Sequence, residues 1–130
     1  YSYERREEFF KLCAQNLARA GLTERVEQFH QDINDGFLQK DADALFLDVR
    51  TPWDYLEYIP SALKKGAPLG FLLPTTNQVS KLLECFEQGP FGEIEVLEIL
   101  VRRYKPVPQR LRPDDRMVAH TGYLVFARLT

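Results

Sequence analysis

Apolar and polar positions alternate along the chain in two patterns, one typical of amphipathic helices and one of buried strands. Apolar residues recur at helical spacing from Arg5 to Ala20 and again in a segment for which Thr76 is the expected N-cap. A further helix is predicted from about Trp53 to Leu63. Short apolar runs bounded by turn residues predict strands. These runs are residues 1–3, Val26–Gln31, Leu45–Val49, Leu69–Leu73, Ile94–Val101 and Val118–Ala127.

The order of these elements, β-α-β-β-α-β-α-β-β, predicts one α/β domain. Alternating strands and helices favour a doubly wound sheet, and the last two strands favour an antiparallel pair at its end. The 130 residues, 45% of them hydrophobic, suffice for one core. Because the chain starts inside a predicted strand, we expect the domain of residues 1–130 to be the later part of something longer.

Charge and cysteine content narrow the function classes. The net charge of −2 gives no overall basic field for nucleic acid. Cys13 and Cys85 lie far apart, in neither a metal spacing nor a disulfide framework, which indicates a reducing, cytoplasmic location. His30 and His120 have no third ligand at useful spacing, so we expect no metal. No apolar run approaches the roughly 20 residues that span a bilayer, so we expect no membrane association.

Acidic residues follow three successive predicted strands. They are Glu4, Asp32 and Asp48, and open α/β sheets bind ligands outside the carboxyl ends of their strands. A carboxylate after the second strand of a nucleotide-binding unit accepts from ribose hydroxyls, and one after the next strand can accept from an adenine amino group. Each of the three could instead cap a turn. The regular placement of the three carboxylates favours a ligand-binding role, with Asp48 as the main candidate for the functional residue.

The segment from Asp48 to Ala62 is also similar to the entry motif of rhodanese sulfurtransferases. That chemistry needs a cysteine that opens a loop of backbone N–H groups and an arginine, which together hold the thiolate and an anionic substrate. Cys85 stands at a tolerable distance, but residues 86–91 contain no basic residue and Pro90 lacks an N–H. Cys85 also falls inside a helical pattern, which favours a buried, inert thiol. A sulfurtransferase therefore stays as a rival interpretation.

Several pieces of the sequence form a more specific combination. They are residues 2–9 (SYERREEF), Asp32-Ile33, Leu47-Asp48 with Pro52-Trp53, Gly70-Phe71 with residues 77–79 (NQV), and Arg112-Pro113 with residues 120–128 (HTGYLVFAR). Together they resemble the tRNA adenine-58 N1-methyltransferase family, class I methyltransferases that use S-adenosylmethionine. The resemblance covers essentially all 130 residues.

The resemblance implies a fold and a set of site residues. The fold is a Rossmann-like class I methyltransferase sheet, a three-layer α/β/α arrangement of which this chain would hold the C-terminal part. Glu4 would hold the ribose of the cofactor, Asp32 with Ile33 its adenine, and Asp48 would be the catalytic aspartate. The Asp-Leu-Pro type of turn in many relatives is replaced here by residues 48–53 (DVRTPW).

The resemblance also implies a gap in the sheet. The family's first strand and Gly-rich loop would precede Tyr1, and that strand would lie between the strand of residues 1–3 and the Leu45–Val49 strand. Without it both strands would show unpaired edges. We therefore expect the two strands to pair directly or to borrow a strand from another copy.

The implied substrate is tRNA, and the implied assembly is a homo-oligomer, the family tetramer. Trp53, Tyr55 and Gln78 are candidates for the pocket of the target base, although an aromatic residue just after a strand is also typical of a core. Residues 102–116 carry six basic and two acidic side chains, a local charge of +4. The candidates for phosphate contact are Arg110, Arg112 and Arg116, with a solvated loop as the alternative. A non-catalytic or truncated tRNA-binding subunit is the alternative to an enzyme.

Overall fold

The computed structural model describes residues 1–130, which form three α-helices and eight strands. The helices are α1 (Glu7–Arg19), α2 (Ile59–Ala62) and α3 (Thr76–Phe86). The strands are β1 (Ser2–Tyr3), β2 (Gln28–Phe29), β3 (Leu45–Leu47), β4 (Pro68–Leu73), β5 (Phe91–Glu98), β6 (Tyr104–Lys105), β7 (Arg112–Pro113) and β8 (Tyr123–Leu129). Short 3-10 helices cover Thr23–Arg25, Ile33–Asp35, Pro52–Tyr58 and Pro108–Arg110.

A mixed four-stranded sheet in the order β3-β4-β8-β5 forms the centre of the molecule. β3 runs parallel to β4, with Leu45 opposite Leu69. β8 lies antiparallel between β4 and β5, so the predicted antiparallel closing pair is confirmed. A bulge between Gly92 and Glu95 shifts the register of β5. The alternation of strands and helices predicted from the sequence therefore produces the α/β sheet that was expected.

The two closing strands have different bounds from the predicted ones. β5 begins at Phe91, directly after the Gly89-Pro90 stop, and ends before the predicted residues 99–101. Those three residues are 54–62% exposed and pair with no strand. β8 begins only at Tyr123. The β-type composition of residues 99–101 and 118–122 is insufficient here because strand propensity depends on a partner and on burial. The segment between the two strands, residues 99–122, contains the β6–β7 hairpin and is called the crossing segment below.

β1 and β2 form a separate two-stranded parallel sheet, with Tyr3 opposite Phe29. The expected direct pairing of β1 with the strand at Leu45 is wrong. An apolar slot of about 310 Å³, called the strand slot here, lies between Tyr3 and β3. β3 is held on its far side by β4, and β1 by β2 and by the Tyr3 hydroxyl, which accepts from the Leu38 N–H at 2.9 Å. Borrowing of a strand from another copy stays a prediction.

The core lies on one face of the four-stranded sheet, under α2, α3 and the Pro52–Tyr58 helix. Leu69, Phe71 and Leu73 of β4 are at most 1% exposed. Phe71 meets Phe86 of α3 edge-on, with ring centroids 5.4 Å apart. On the opposite face Phe46 remains 57% exposed. Since the side chains of a strand alternate between the two faces, Leu69, Phe71 and Leu73 all point to the core face of the sheet.

The helix predicted from Trp53 to Leu63 is a 3-10 helix, Pro52–Tyr58, followed by the single α-turn of α2. Pro60 accounts for the difference. It has no N–H to donate to the carbonyl of Leu56. That carbonyl accepts instead from the Ile59 N–H, three residues on, which is the 3-10 pattern.

The helix predicted from Thr76 is confirmed, but its cap is one residue earlier. Thr75 is the N-cap, and its hydroxyl accepts from the Gln78 N–H at 3.3 Å. The predicted strand of residues 26–31 is paired only over Gln28–Phe29. No helix in the molecule combines the length and the apolar character that a bilayer crossing requires.

Candidate active site

The structure brings together the three carboxylates that follow the predicted strands. Glu4, Asp32 and Asp48 line one cavity of about 410 Å³, called the rim cavity here. Ile33 lines it as well. Glu4 comes directly after β1, Asp32 three residues after the last paired residue of β2, and Asp48 directly after β3. The three carboxylates thus share one cavity, but the expected single sheet edge is wrong, because β1–β2 and β3–β4 belong to different sheets.

Glu4 is an ionised acceptor. Its Oε1 accepts from the Arg6 backbone N–H at 2.8 Å and from Arg6 Nε at 3.3 Å. The backbone hydrogen bond from Arg6 is the largest cause that lowers the pKa of Glu4 below its usual value. Both contacts use Oε1, so Oε2 takes part in neither of them. The backbone N–H of Glu4 donates to Phe29 and fixes the residue to β2.

Asp32 caps a turn, one of the alternatives that the sequence left open, and it also lines the rim cavity. Its Oδ1 accepts from the Asn34 N–H at 3.0 Å and caps the Ile33–Asp35 helix. Its Oδ2 lies 3.4 Å from Arg5 Nη1 and lines the rim cavity. Ile33 is only 9% exposed and belongs to the hydrophobic core. The capping contact thus fixes the direction of the Asp32 carboxylate at the cavity wall.

Asp48 is exposed and lies where two cavities meet, and it also lines the strand slot. The second, called the loop cavity, has a volume of about 670 Å³ and is also lined by Trp53, Pro74, Thr75 and Gln78. Asp48 takes no part in the hydrogen bonds that engage Glu4 and Asp32. Its carboxylate is therefore available to a group that enters from either cavity.

The three candidate base-pocket residues have different positions. Trp53 lines the loop cavity and also packs against the core, so the core interpretation is confirmed and the base-pocket interpretation stays a prediction. Tyr55 is buried and lines the rim cavity instead. Gln78 lines the loop cavity, but its amide is used within the chain: Nε2 donates to the Arg50 carbonyl at 3.0 Å, and Oε1 accepts from the Thr75 hydroxyl at 2.7 Å. Gln78 thereby ties the start of α3 to the loop after Asp48.

The candidate phosphate contacts lie apart from these cavities. Arg110, Arg112 and Arg116 are exposed on the crossing segment, and none of them lines the rim or the loop cavity. Lys105 pairs with Asp115 in the same segment, so part of its charge is locally compensated.

Sequence reasoning missed seven of the residues that line the rim cavity, among them Arg5 and Arg6. The signal for these two arginines was their position directly after Glu4, where a side chain can reach back to the end of the strand. No group of three or more His, Cys, Asp or Glu side chains is arranged so that it could hold a metal ion. Cys85 lies in the last turns of α3 and not at the start of an N–H-rich loop, so the rhodanese interpretation lacks its nucleophile site.

A Rossmann-like sheet that ends in an antiparallel pair, with carboxylates along its rim, defines the class I methyltransferase fold. The same fold is found in a SAM-dependent O-methyltransferase from Thermotoga maritima, with 55% identity and a TM-score of 0.91 over 97% of this chain and 48% of that one. It is also found in the tRNA (m1A58) methyltransferase TrmI from Aquifex aeolicus, with 50% identity and a TM-score of 0.88 over 98% and 52%. The chain belongs to the family described as "tRNA methyltransferase complex GCD14 subunit", whose model matches residues 1–115.

Curated relatives agree with this membership. The tRNA (adenine(57)-N(1)/adenine(58)-N(1))-methyltransferase TrmI of Methanocaldococcus jannaschii is 30% identical over 98% of this chain and 55% of its own length. The catalytic subunit trmt61a of Dictyostelium discoideum is 29% identical over 80% and 35%. The family and the fold class expected from the sequence are thus confirmed. The chain spans about half, or less, of the length of the relatives it matches.

Proposed function

We propose that this chain forms the cofactor and base-binding part of an enzyme that transfers a methyl group from S-adenosylmethionine to N1 of adenine 58 in the T-loop of tRNA. Family membership supports the reaction. The observation that carries the site is the position of Asp48 on both the rim cavity and the loop cavity. A carboxylate at that junction can meet a target base while the cofactor nucleoside lies on the opposite side.

The residues of the rim cavity fit the nucleoside half of the cofactor. Ligand pockets of proteins typically measure roughly 300–1,000 Å³, and the rim cavity falls in that range. Glu4, kept ionised by Arg6, would accept from the ribose hydroxyls, and Asp32 with Ile33 would hold the adenine. When bound, S-adenosylmethionine supplies a methyl group on a positively charged sulfur.

The proposed role of Asp48 follows from the chemistry of adenine. N1 attacks through a lone pair, and methylation leaves a positive charge that the ring shares with its exocyclic amino group. A fixed carboxylate that accepts from that amino group binds the transition state more strongly than the ground state, which is the requirement for catalysis. The same hydrogen bond would direct N1 toward the methyl group.

The proposed tRNA contacts use both the loop cavity and the crossing segment. The target base must leave its stack to reach Asp48, and the Trp53 ring at the cavity wall offers a surface on which a base can stack. The exposed guanidinium groups of Arg110, Arg112 and Arg116 would contact phosphates. In this arrangement the three arginines would position the tRNA without contacting the reacting atoms.

We further propose that the protein assembles as a homo-oligomer, as the family tetramer, through its closing strands. Ile94 and Val96 of β5 are each 43% exposed, and the neighbouring residues Ile99 and Val101 are about 60% exposed. Such contiguous apolar residues are typical of interaction sites. We also propose a cytoplasmic location, where tRNA is modified and where free cysteines such as Cys13 and Cys85 remain reduced.

A methyl-transfer assay tests the proposed function. The full-length protein is incubated with S-adenosylmethionine and a tRNA transcript, and the nucleosides of the digested tRNA are separated by mass spectrometry. We expect 1-methyladenosine from the transcript and none from a transcript with guanosine at position 58. Binding of tRNA without methyl transfer would favour the alternative, a non-catalytic tRNA-binding subunit. Neither binding nor transfer would refute both.

A further inference from the structure

His120, on the crossing segment, joins the ends of two strands. Its Nδ1 lies 2.5 Å from Glu98 Oε1 at the end of β5. Its Nε2 lies 2.6 Å from the carbonyl oxygen of Pro74, which follows β4. The imidazole also packs on the Tyr123 ring of β8, with centroids 4.7 Å apart. One side chain thus connects three strands of the sheet to the segment that carries the arginines.

The two contacts determine the charge of the ring. A carboxylate and a carbonyl oxygen both act only as acceptors, whereas a neutral imidazole has a single N–H. Both hydrogen bonds can form only when both ring nitrogens carry a proton, which is the imidazolium form. The hydrogen bond to Glu98 is the largest cause that raises the pKa of His120, followed by the hydrogen bond to Pro74. Glu98 and Tyr123 are the titratable groups that face the ring, and the turn after β4 contributes only a carbonyl.

The carbonyl that His120 holds belongs to the wall of the loop cavity. Pro74 and Thr75 line this cavity together with Asp48. Thr75 caps α3 and bonds to Gln78, and Gln78 donates to the Arg50 carbonyl in the loop that Asp48 opens. Two sets of hydrogen bonds, joined by the peptide bond between Pro74 and Thr75, therefore connect β5 through His120 to the loop of Asp48. His120 itself does not line the cavity.

We propose that imidazolium His120 is a positioning residue, which clamps the crossing segment to the Pro74–Gln78 wall and thereby fixes the loop cavity around Asp48. The clamp is a property of the chain, and its effect on methyl transfer rests on the proposed function. The crossing segment also carries Arg110, Arg112 and Arg116. Because His120 fixes this segment to the cavity wall, contact of tRNA phosphates with the segment would consequently affect the position of the base pocket.

The clamp has a defined pH dependence. The pKa of His120 in the folded protein is raised above the unfolded value of roughly 6.5. The stabilising contact is therefore complete below about pH 6.5 and is lost as the pH rises through the folded-state pKa. The clamp is tight in mildly acidic solution and loosens as the pH rises through the raised pKa of His120.

An NMR titration tests the clamp without reference to activity. The ring signals of His120 and His30, the two histidines of these 130 residues, are followed against pH in the full-length protein. His30 contacts one carbonyl, that of Arg5, and its signals are the internal reference. We expect E98Q to lower the pKa of His120. A His120 titration that is the same in wild type and E98Q would overturn the clamp.

Kinetics test the positioning role. In H120Q we expect kcat to fall by up to about a hundred-fold, the effect of roughly a 1 Å misplacement, with unchanged affinity for S-adenosylmethionine. The pH profile of wild-type kcat should lose activity through the His120 pKa measured by NMR, and that inflection should be missing in H120Q. Parallel profiles of the two proteins would refute the positioning role. Absence of methyl transfer by the wild type would refute the proposed function, while the NMR titration still decides the clamp.

Discussion

Replacement of Asp48 by asparagine tests the centre of the proposed mechanism. The substitution keeps the shape of the side chain and one acceptor oxygen, removes the negative charge and replaces the second oxygen by an amide NH2 donor. Asp48 is exposed and is absent from the hydrogen bonds that fix Glu4 and Asp32, so the fold should not change. The effect is therefore expected in the reaction and not in stability.

The magnitude follows from what the charge stabilises. Removal of one group that faces developing charge typically costs a factor of about 10²–10³ in kcat, or roughly 3–4 kcal/mol. Asparagine still accepts a hydrogen bond, and the open rim admits water, which screens the charge. We therefore expect a decrease at the lower end, about 10²-fold. Because the ground state loses much less, the affinities for S-adenosylmethionine and tRNA should change little.

Single-turnover methylation of tRNA is the appropriate assay, since it isolates the chemical step. Asp54→Asn is the matched control: Asp54 is an exposed carboxylate on the neighbouring 3-10 helix that lines none of the three cavities described above. Its single-turnover rate should equal that of the wild type. An Asp48→Asn rate within two-fold of the wild type, at unchanged melting temperature, would remove Asp48 from the mechanism.

Three further predictions concern stability and tRNA binding. Phe71→Ala empties a fully buried site and should lower the free energy of unfolding by about 3–5 kcal/mol in urea titrations, whereas Phe46→Ala, on the exposed face, should cost much less. Thr75→Ala removes the cap of α3 and should cost about 1 kcal/mol, with Thr76→Ala near neutral. Arg112→Ala should reduce the salt-dependence slope of tRNA binding by about one, and an unchanged slope would exclude a phosphate contact.

The local pattern of apolar and polar residues was sufficient to predict the elements that have one strongly buried face. β4 was predicted as Leu69–Leu73 and is observed as Pro68–Leu73. The agreement is close because most of the strand is buried by the elements around it. α3 was predicted from the apolar spacing of Val79, Leu82, Leu83 and Phe86, of which Leu83 is half-buried and the other three are buried. In both elements periodicity and burial agree, so the observed start differs from the predicted one by a single residue.

Predictions failed where a distant partner decides the outcome. Residues 99–101 have strand-forming composition but lie exposed without a partner strand, whereas Phe91 and Gly92 pair with the end of β8. The predicted helix from Trp53 to Leu63 required the Leu56 carbonyl to accept a hydrogen bond from the backbone N–H of residue 60. Pro60 has no N–H and cannot donate it. The expected pairing of β1 with β3 required two strands to cross a gap while each was already held by its other neighbour.

The candidate site was predictable to the extent that it is local. Glu4 and Asp48 directly follow strands, so their shared cavity followed from the rule that ligands bind at strand ends. The contacts of His120 could not be derived in this way, because they join residues 22 and 46 positions apart across turns that carry no periodic signal. The use of the Gln78 amide within the chain also became visible only when α3 and the Asp48 loop were placed together.

The two halves of the rim cavity stand on different sheets, which makes the packing between them part of the site. Glu4 and Asp32 follow β1 and β2, whereas Asp48 follows β3, and no strand pairing connects the two sheets. Their separation is set by side chains, among which Ile33 is the best placed: it joins the hydrophobic core and lines both the rim cavity and the strand slot. Protein interiors are close-packed, so a buried side chain at this joint transmits a change in the slot to the spacing of the carboxylates. The core position of Ile33 and its place at the proposed cofactor site are consequently one role, because the residue that holds the sheets together also sets the width of the cavity between them.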